Sequence, residues 1–152
     1  IKKSALRLYL CCIELVSHDT FIREFGLSDT FNSWFRVLEL HLWMLMVRLS
    51  DEGKDGLALR NSIINYMWQD IDKKTKKLGV STMTARREGV MDISEQFKAA
   101  LFSYDEGLLG DDKQLAGALW RNFFDKNCNN AHDLERMVEY VRKQVYHFDW
   151  MI

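Results

Sequence analysis

Proline is absent from all 152 residues. Because proline breaks helix interiors and stiffens linkers, its absence fits long helices joined by short turns. Cysteine is scarce. Cys11, Cys12 and Cys128 form no CxxC pair and leave an odd count, which excludes a fully paired disulfide scaffold and fits small apolar residues in a reducing compartment. Charge of one sign is lacking too: a net charge of −1 creates no global field toward nucleic acid or an anionic membrane. Nor is there an apolar run fit to span a bilayer, since Arg36, Glu39 and His41 interrupt the most apolar segment at what would be mid-bilayer depth.

The motifs of common chemistries are missing as well. Neither GxGxxG nor a Walker-type GxxxxGK occurs, so no phosphate cradle is supported. His18, His41, His132 and His147 do not pair at metal-ligand spacing, and no HExxH or Glu-x-x-His is present. Glu14 and His18, four residues apart, come nearest. Ser4, Ser33, Ser62 and Cys128 lack the neighbouring histidine and acid that mark a nucleophile. An enzyme is therefore disfavoured, and no cofactor or metal is expected.

What the chain has is apolar bulk. Hydrophobic residues make up 47% and aromatics 12%, with five tryptophans among them, enough for a filled core with aromatics left over. The segment Asp29–Ser50 concentrates this bulk. At 100° per residue it carries two apolar faces. Phe31, Trp34, Phe35, Leu38, Leu42, Leu45, Met46 and Leu49 form the first, and Val37, Leu40, Trp43, Met44 and Val47 the second. Asn32, Arg36 and Glu39 on one side, with His41 and Arg48 on the other, form polar seams between them. A helix apolar nearly all round is enclosed on most sides. His41 sits on a seam and has two readings: a core histidine satisfied by a carboxylate such as Glu39 or Asp70, or a functional contact, with Met44 as a second axial haem ligand in one version.

Helical periodicity predicts an all-α domain of about six helices around this central one. The first covers Ser4–Val16. Ser17–Ser28 reads as a polar connection with a short turn at Phe21–Phe25, and Asp29 or Thr30 caps the central helix, which runs to about Leu49. After the breaker Ser50–Gly56, a helix over Leu57–Leu78 ends in polar, lysine-rich turns. The next begins at Ser81 and ends at the turn Asp105–Gly110. Asp111 or Asp112 then caps a helix reaching Phe124, Asn127–Asn130 turns, and His132–Trp150 closes the chain. Lys73, Lys74, Lys76 and Lys77, with Arg86 and Arg87 beyond the turn, make a basic edge. Such an edge is either a solvated helix end or a contact for RNA phosphates or acidic lipid.

Five blocks run in order from end to end: Ile1–Tyr9 (IKKSALRLY), Asp29–Phe35 (DTFNSWF), Leu40–Arg48 (LHLWMLMVR), Tyr104–Phe124 (YDEGLLGDDKQLAGALWRNFF) and Val138–Gln144 (VEYVRKQ). In them the sequence resembles the ubiquinol-cytochrome c chaperone family, the assembly factors of mitochondrial respiratory complex III. Asp51–Ala100 is less distinctive. The resemblance implies one non-enzymatic chaperone domain over residues 1–152, with a transit or membrane-associated segment upstream of Ile1 and a C-terminal tail both lying outside. It further implies a place at the mitochondrial inner membrane on the matrix side. The implied partners are a small complex III assembly subunit, newly made cytochrome b and the mitochondrial ribosome.

Under that resemblance Val37, Trp43, Met44 and Val47 are expected to lie close to a partner or client. Arg121, Glu139, Arg142 and Lys143 are expected either to pair between the last two helices or to face the small partner. Lys73, Lys74, Lys77, Arg86 and Arg87 are candidates for RNA or lipid contact. The competing reading is a haem- or metal-handling helical protein that uses His41 and Met44, or Glu14 and His18.

Overall fold

Two apolar faces on one helix need two sets of neighbours, and this chain supplies both. The computed structural model describes the backbone of residues 2–14, 16–77 and 83–151 and the side chains of 3–14, 16–77 and 89–147. The helices in order are α1 (Lys2–Glu14), α2 (His18–Glu24), α3 (Phe31–Leu49), α4 (Gly53–Lys77), α5 (Met83–Leu109), α6 (Asp112–Asn122) and α7 (Ala131–Met151), with a single 3-10 turn at Ser50–Glu52. No strand occurs among the described residues. The fold is all-α, as the periodicity predicts.

α3 is the inner rod. Its first face, through Phe35, Leu38, Leu42, Leu45, Met46 and Leu49, packs on Ala5, Tyr9 and Cys12 of α1, on Ile63, Met67 and Ile71 of α4, and on Phe97 of α5. Its second face, through Val37, Leu40, Trp43 and Met44, meets Ala100 and Tyr104 of α5, Leu115, Ala118 and Leu119 of α6, and Met137, Val138 and Val141 of α7. Thirteen residues of α3 are buried, from Phe35 to Leu49. At roughly 1.5–3 kcal/mol for each large apolar side chain withdrawn from water, this helix dominates the burial that drives folding.

Local signals set where the helices begin. The Thr30 hydroxyl accepts the Ser33 amide at 3.2 Å and starts α3, as expected of Asp29 or Thr30. Asp111, not Asp112, starts α6: its carboxylate accepts the Gln114 amide at 2.9 Å while Gln114 Oε1 accepts the Asp111 amide at 3.0 Å. This is a complete capping box.

Three boundaries differ from the sequence reading. Ser17–Ser28 is more than a polar connection, because Ser17 caps the short helix α2 and its flank places Phe21 and Phe25 against the second core cluster. α4 starts at Gly53, inside the predicted breaker, and Gly56 is buried beneath Leu49. α5 does not stop at Asp105 but continues to Leu109. A β-carbon at Gly107 would lie 3.0 Å from Leu115 Cα and 3.2 Å from Ala118 Cβ, so Gly107 lets α6 pack close on α5. This glycine, read as part of a turn, is a packing glycine inside the helix.

Leu38 and Met44 are fully buried on opposite faces. Leu38→Ala and Met44→Ala should each destabilise the fold by about 3 kcal/mol. The double variant should lose nearly the sum, because the two sites draw on separate neighbours. Chemical denaturation of the three variants checks this. Strong sub-additivity would contradict two independent faces.

Candidate partner-docking site

Covering both faces of α3 removes the residues first expected at a partner surface. Trp43 is 1% exposed, and Val37 and Met44 are fully buried, because α5, α6 and α7 close over that face. The expectation that they meet a partner is corrected here. Val47 alone stays half-buried, in a shallow groove with Met46, Leu101, Leu108 and Leu109.

His41, Trp43 and Arg36 of α3 turn inward and find partners. His41 Nδ1–H donates to the Val37 carbonyl at 2.7 Å. That fixes the tautomer, so Nε2 accepts from the Tyr140 hydroxyl at 2.6 Å. Burial pushes the His41 ring down from 6.5 to about 4, keeping it neutral. His41 is therefore a core histidine, satisfied by a carbonyl and a phenol where a carboxylate was expected. Asp70, one carboxylate proposed for it, instead accepts from Tyr9 at 2.9 Å.

Neither ring nitrogen of His41 remains open for haem, and Met44 is sealed in the core. Glu14 is exposed, while His18 stacks on Trp34 with ring centroids 6.0 Å apart. No group of three or more histidine, cysteine, aspartate or glutamate side chains is placed to hold a metal among the described residues.

Other seam residues act as ties. Trp43 Nε1–H donates to Asp105 at 2.8 Å. The Arg36 guanidinium donates to the Asn122 carbonyl and pairs with Asp125 at 3.4 Å, anchoring the α6–α7 connection where Asp125 and Lys126 take positive φ of 50° and 61°. Glu39 is 2% exposed, and burial raises its carboxyl from 4.5 to about 8.

One open surface lies along α7, which carries a groove on each flank. One groove, about 440 Å³, runs between α2 and α7 over Phe21, Phe25 and Tyr140, with Glu24, Arg136, Glu139 and Lys143 on its rim. Arg136 pairs with Glu24 at 2.8 Å and lies 4.8 Å from the centre of the Phe25 ring. The other, about 560 Å³, runs between α6 and α7 over Ala116, Leu134 and Val138, and Glu139 and Lys143 border it too.

Three candidates from the sequence thus meet on one ridge. Glu139 and Lys143 pair at 2.8 Å along α7. Arg142 bridges helices: it contacts Asp112 of α6 at 3.1 Å and donates to the Leu108 and Gly110 carbonyls at 3.1 and 3.2 Å. It thereby caps carbonyls that the end of α5 leaves open. Arg121 is not with them, since it donates to Ser103 at 3.1 Å in a separate depression between α5 and α6. Sequence reasoning missed Phe21, Phe25 and Tyr140. The four-residue spacing of the two phenylalanines after a serine cap was the available signal.

The basic edge is only partly assembled. Lys73 and Lys77 are exposed at the end of α4, whereas Lys74 sits 4.4 Å over the Trp34 ring and Lys76 pairs with Asp72 at 3.0 Å. The side chains of Arg86 and Arg87 lie outside the described residues. No helix among the described residues is long and apolar enough to cross a membrane.

The fold is all-α, with the His41 and Trp43 ties turned inward and apolar grooves left on the outside. Comparison with known sequences gives the family. The chain belongs to the ubiquinol-cytochrome C chaperone family, whose sequence model matches residues 23–151. It is 44% identical over 149 residues to ubiquinol-cytochrome-c reductase complex assembly factor 1 of Xenopus laevis, covering 98% of this chain and 74% of the frog protein. The human protein of that name is 40% identical over 151 residues, 99% of this chain and 50% of its own length. Protein CBP3, mitochondrial, of Saccharomyces cerevisiae is 33% identical over 130 residues, 83% of this chain and 38% of the yeast protein. The chain thus spans from three quarters of the frog relative to about half of the human one. No solved structure matches.

The two buried titratable groups give stability opposite dependences on pH. His41 is depressed from 6.5 to about 4, so below pH 6.5 the unfolded chain binds a proton that the folded chain refuses, and stability falls until about pH 4. Glu39 is raised from 4.5 to about 8, so its contribution is full below pH 4.5 and is lost as pH rises toward 8. Glu39→Gln should remove the alkaline limb, a slope of at most about 1.4 kcal/mol per pH unit, and leave the acid limb. Denaturant titrations from pH 4 to 9 check this; an unchanged alkaline slope would contradict it.

Proposed function

We propose that this chain acts as a chaperone in the assembly of mitochondrial respiratory complex III. In this reading it binds newly made cytochrome b together with a small assembly subunit, at the matrix side of the inner membrane, and holds the client until assembly proceeds. The observation that carries the proposal is the match to complex III assembly factors of frog and human at 44% and 40% identity over nearly the whole chain. The grooves beside α7 support it physically, since a helix-binding protein needs apolar channels edged by charge and no reacting group.

The docking role passes from the inner face of α3 to this outer face. Leu134, Val138 and Ala116 offer an apolar floor, and Glu139, Arg142 and Lys143 supply orientation at the rim. Leu134 and Ala116 are half-buried, each packed partly on the core and partly lining the groove. Leu134→Glu combined with Ala116→Glu should cut recovery of the small partner and of newly made cytochrome b at least about tenfold, the loss of one interface hot spot, while the variant keeps the parent's helical circular dichroism and a cooperative melt. Retention of both partners by the folded variant would defeat this placement.

Lys73 and Lys77 are the part of the basic edge available for ribosomal RNA or anionic lipid. Lys73→Glu with Lys77→Glu should weaken co-sedimentation with mitochondrial ribosomes at about 0.05 M salt and make little difference at about 0.5 M, where exposed charges are screened. Ribosome association indifferent to both substitution and salt would remove the basic edge from the proposal.

A further inference from the structure

The groove between α6 and α7 is electrically lopsided. At the end where α6 begins stand Lys113, Arg142 and Lys143, with the carboxylates Asp112 and Glu139 among them. At the opposite end, toward the start of α7, the charge of the lining is Glu135. Three cations less two carboxylates give +1 at one end, against −1 at the other. The Asp112–Arg142 contact at 3.1 Å and the Glu139–Lys143 contact at 2.8 Å pair the other four charges, so Lys113 and Glu135 carry this asymmetry. Lys113 and Glu135 are exposed and enter no ion pair found among the described residues.

The floor between these ends is apolar, and two of its residues, Ala116 and Ala131, are small enough to let a backbone come close. From Ala131 to Arg142 the floor is about 16 Å long, roughly three helical turns. Single helices have the matching asymmetry. Carboxylates gather in the first turn and cations in the last, where each opposes the helix dipole.

Resting on the docking reading above, we infer that the α6/α7 groove receives one amphipathic helix of a protein partner, seated antiparallel to α7, with its acidic N-terminal turn against Lys113, Arg142 and Lys143 and its basic C-terminal turn against Glu135. A lipid surface would not sense direction at all.

Two synthetic 18-residue helical peptides of identical composition test the inference with the intact chain. Both carry a Leu and Ala stripe. One has glutamates in its first turn and lysines in its last; its twin has these exchanged. The glutamate-first peptide should bind at least about tenfold tighter, a difference of about 1.4 kcal/mol. A nitroxide on its N-terminus should broaden the Ala116 methyl signal more than that of Ala131. The quadruple variant Lys113→Glu, Lys143→Glu, Glu135→Lys, Glu139→Lys should reverse the preference. Equal affinities, the opposite orientation, or a preference unmoved by the quadruple variant would overturn the inference. Binding of anionic vesicles in place of either peptide would overturn it too. The two failures remain separable. If Leu134→Glu abolishes partner recovery while the twins bind alike, the docking site stands and the orientation falls; if the partner is retained, the docking site itself falls.

Discussion

Everything in this fold follows from enclosing a helix that is apolar on both sides. α3 cannot lie on a surface, because exposing either face would leave several large side chains in water at roughly 1.5–3 kcal/mol each. The remaining helices are therefore distributed to both sides, with α1 and α4 on one and α6 and α7 on the other, while α5 reaches both through Phe97 and Tyr104. The partner surface is pushed outward as a result. Whatever the chain grips, it grips with the outer flanks of the covering helices.

Enclosure creates a second constraint, that the polar seams of the rod must be answered from outside it. A buried donor or acceptor without a partner costs about 1–3 kcal/mol. His41 finds Tyr140 on α7, Trp43 finds Asp105 on α5, and Arg36 finds Asn122 and Asp125 at the end of α6. Each contact reaches a different covering element, so together they set register and rotation that apolar packing leaves loosely specified. Tyr140 shows how the inside connects to the outside. Its hydroxyl holds His41 while its ring floors the groove beside α2, so the interior tie and the proposed docking surface share one side chain.

Much of this was legible in the sequence. Helical period found the long elements, the two faces of α3 sorted correctly into two core clusters, and Thr30 and Asp111 acted as caps at or beside the residues named. Periodicity says that a face is covered, not by what. That is why Val37, Trp43 and Met44, apolar and on the less crowded side, pointed to a partner when α5, α6 and α7 of the same chain take the place. Gly107 misled for a related reason, since a glycine that ends a helix and one that admits a neighbouring helix look alike until the neighbour is known. The aromatic groove stayed hidden because α2 has only seven residues, too few for periodicity to register. Arg142, singled out by family resemblance, gained its role only when folding brought the α5 carbonyls within reach.

The central claim is that the chain alone seals α3 and that partners bind outside it. Native-state hydrogen exchange, measured residue by residue on the chain with and without its small partner, addresses this most directly. The account predicts that amides from Leu38 to Met46 exchange only through global unfolding in the free chain, and that the partner adds protection along α7. Exchange of those α3 amides through a partial opening, with the partner adding its protection there, would contradict it.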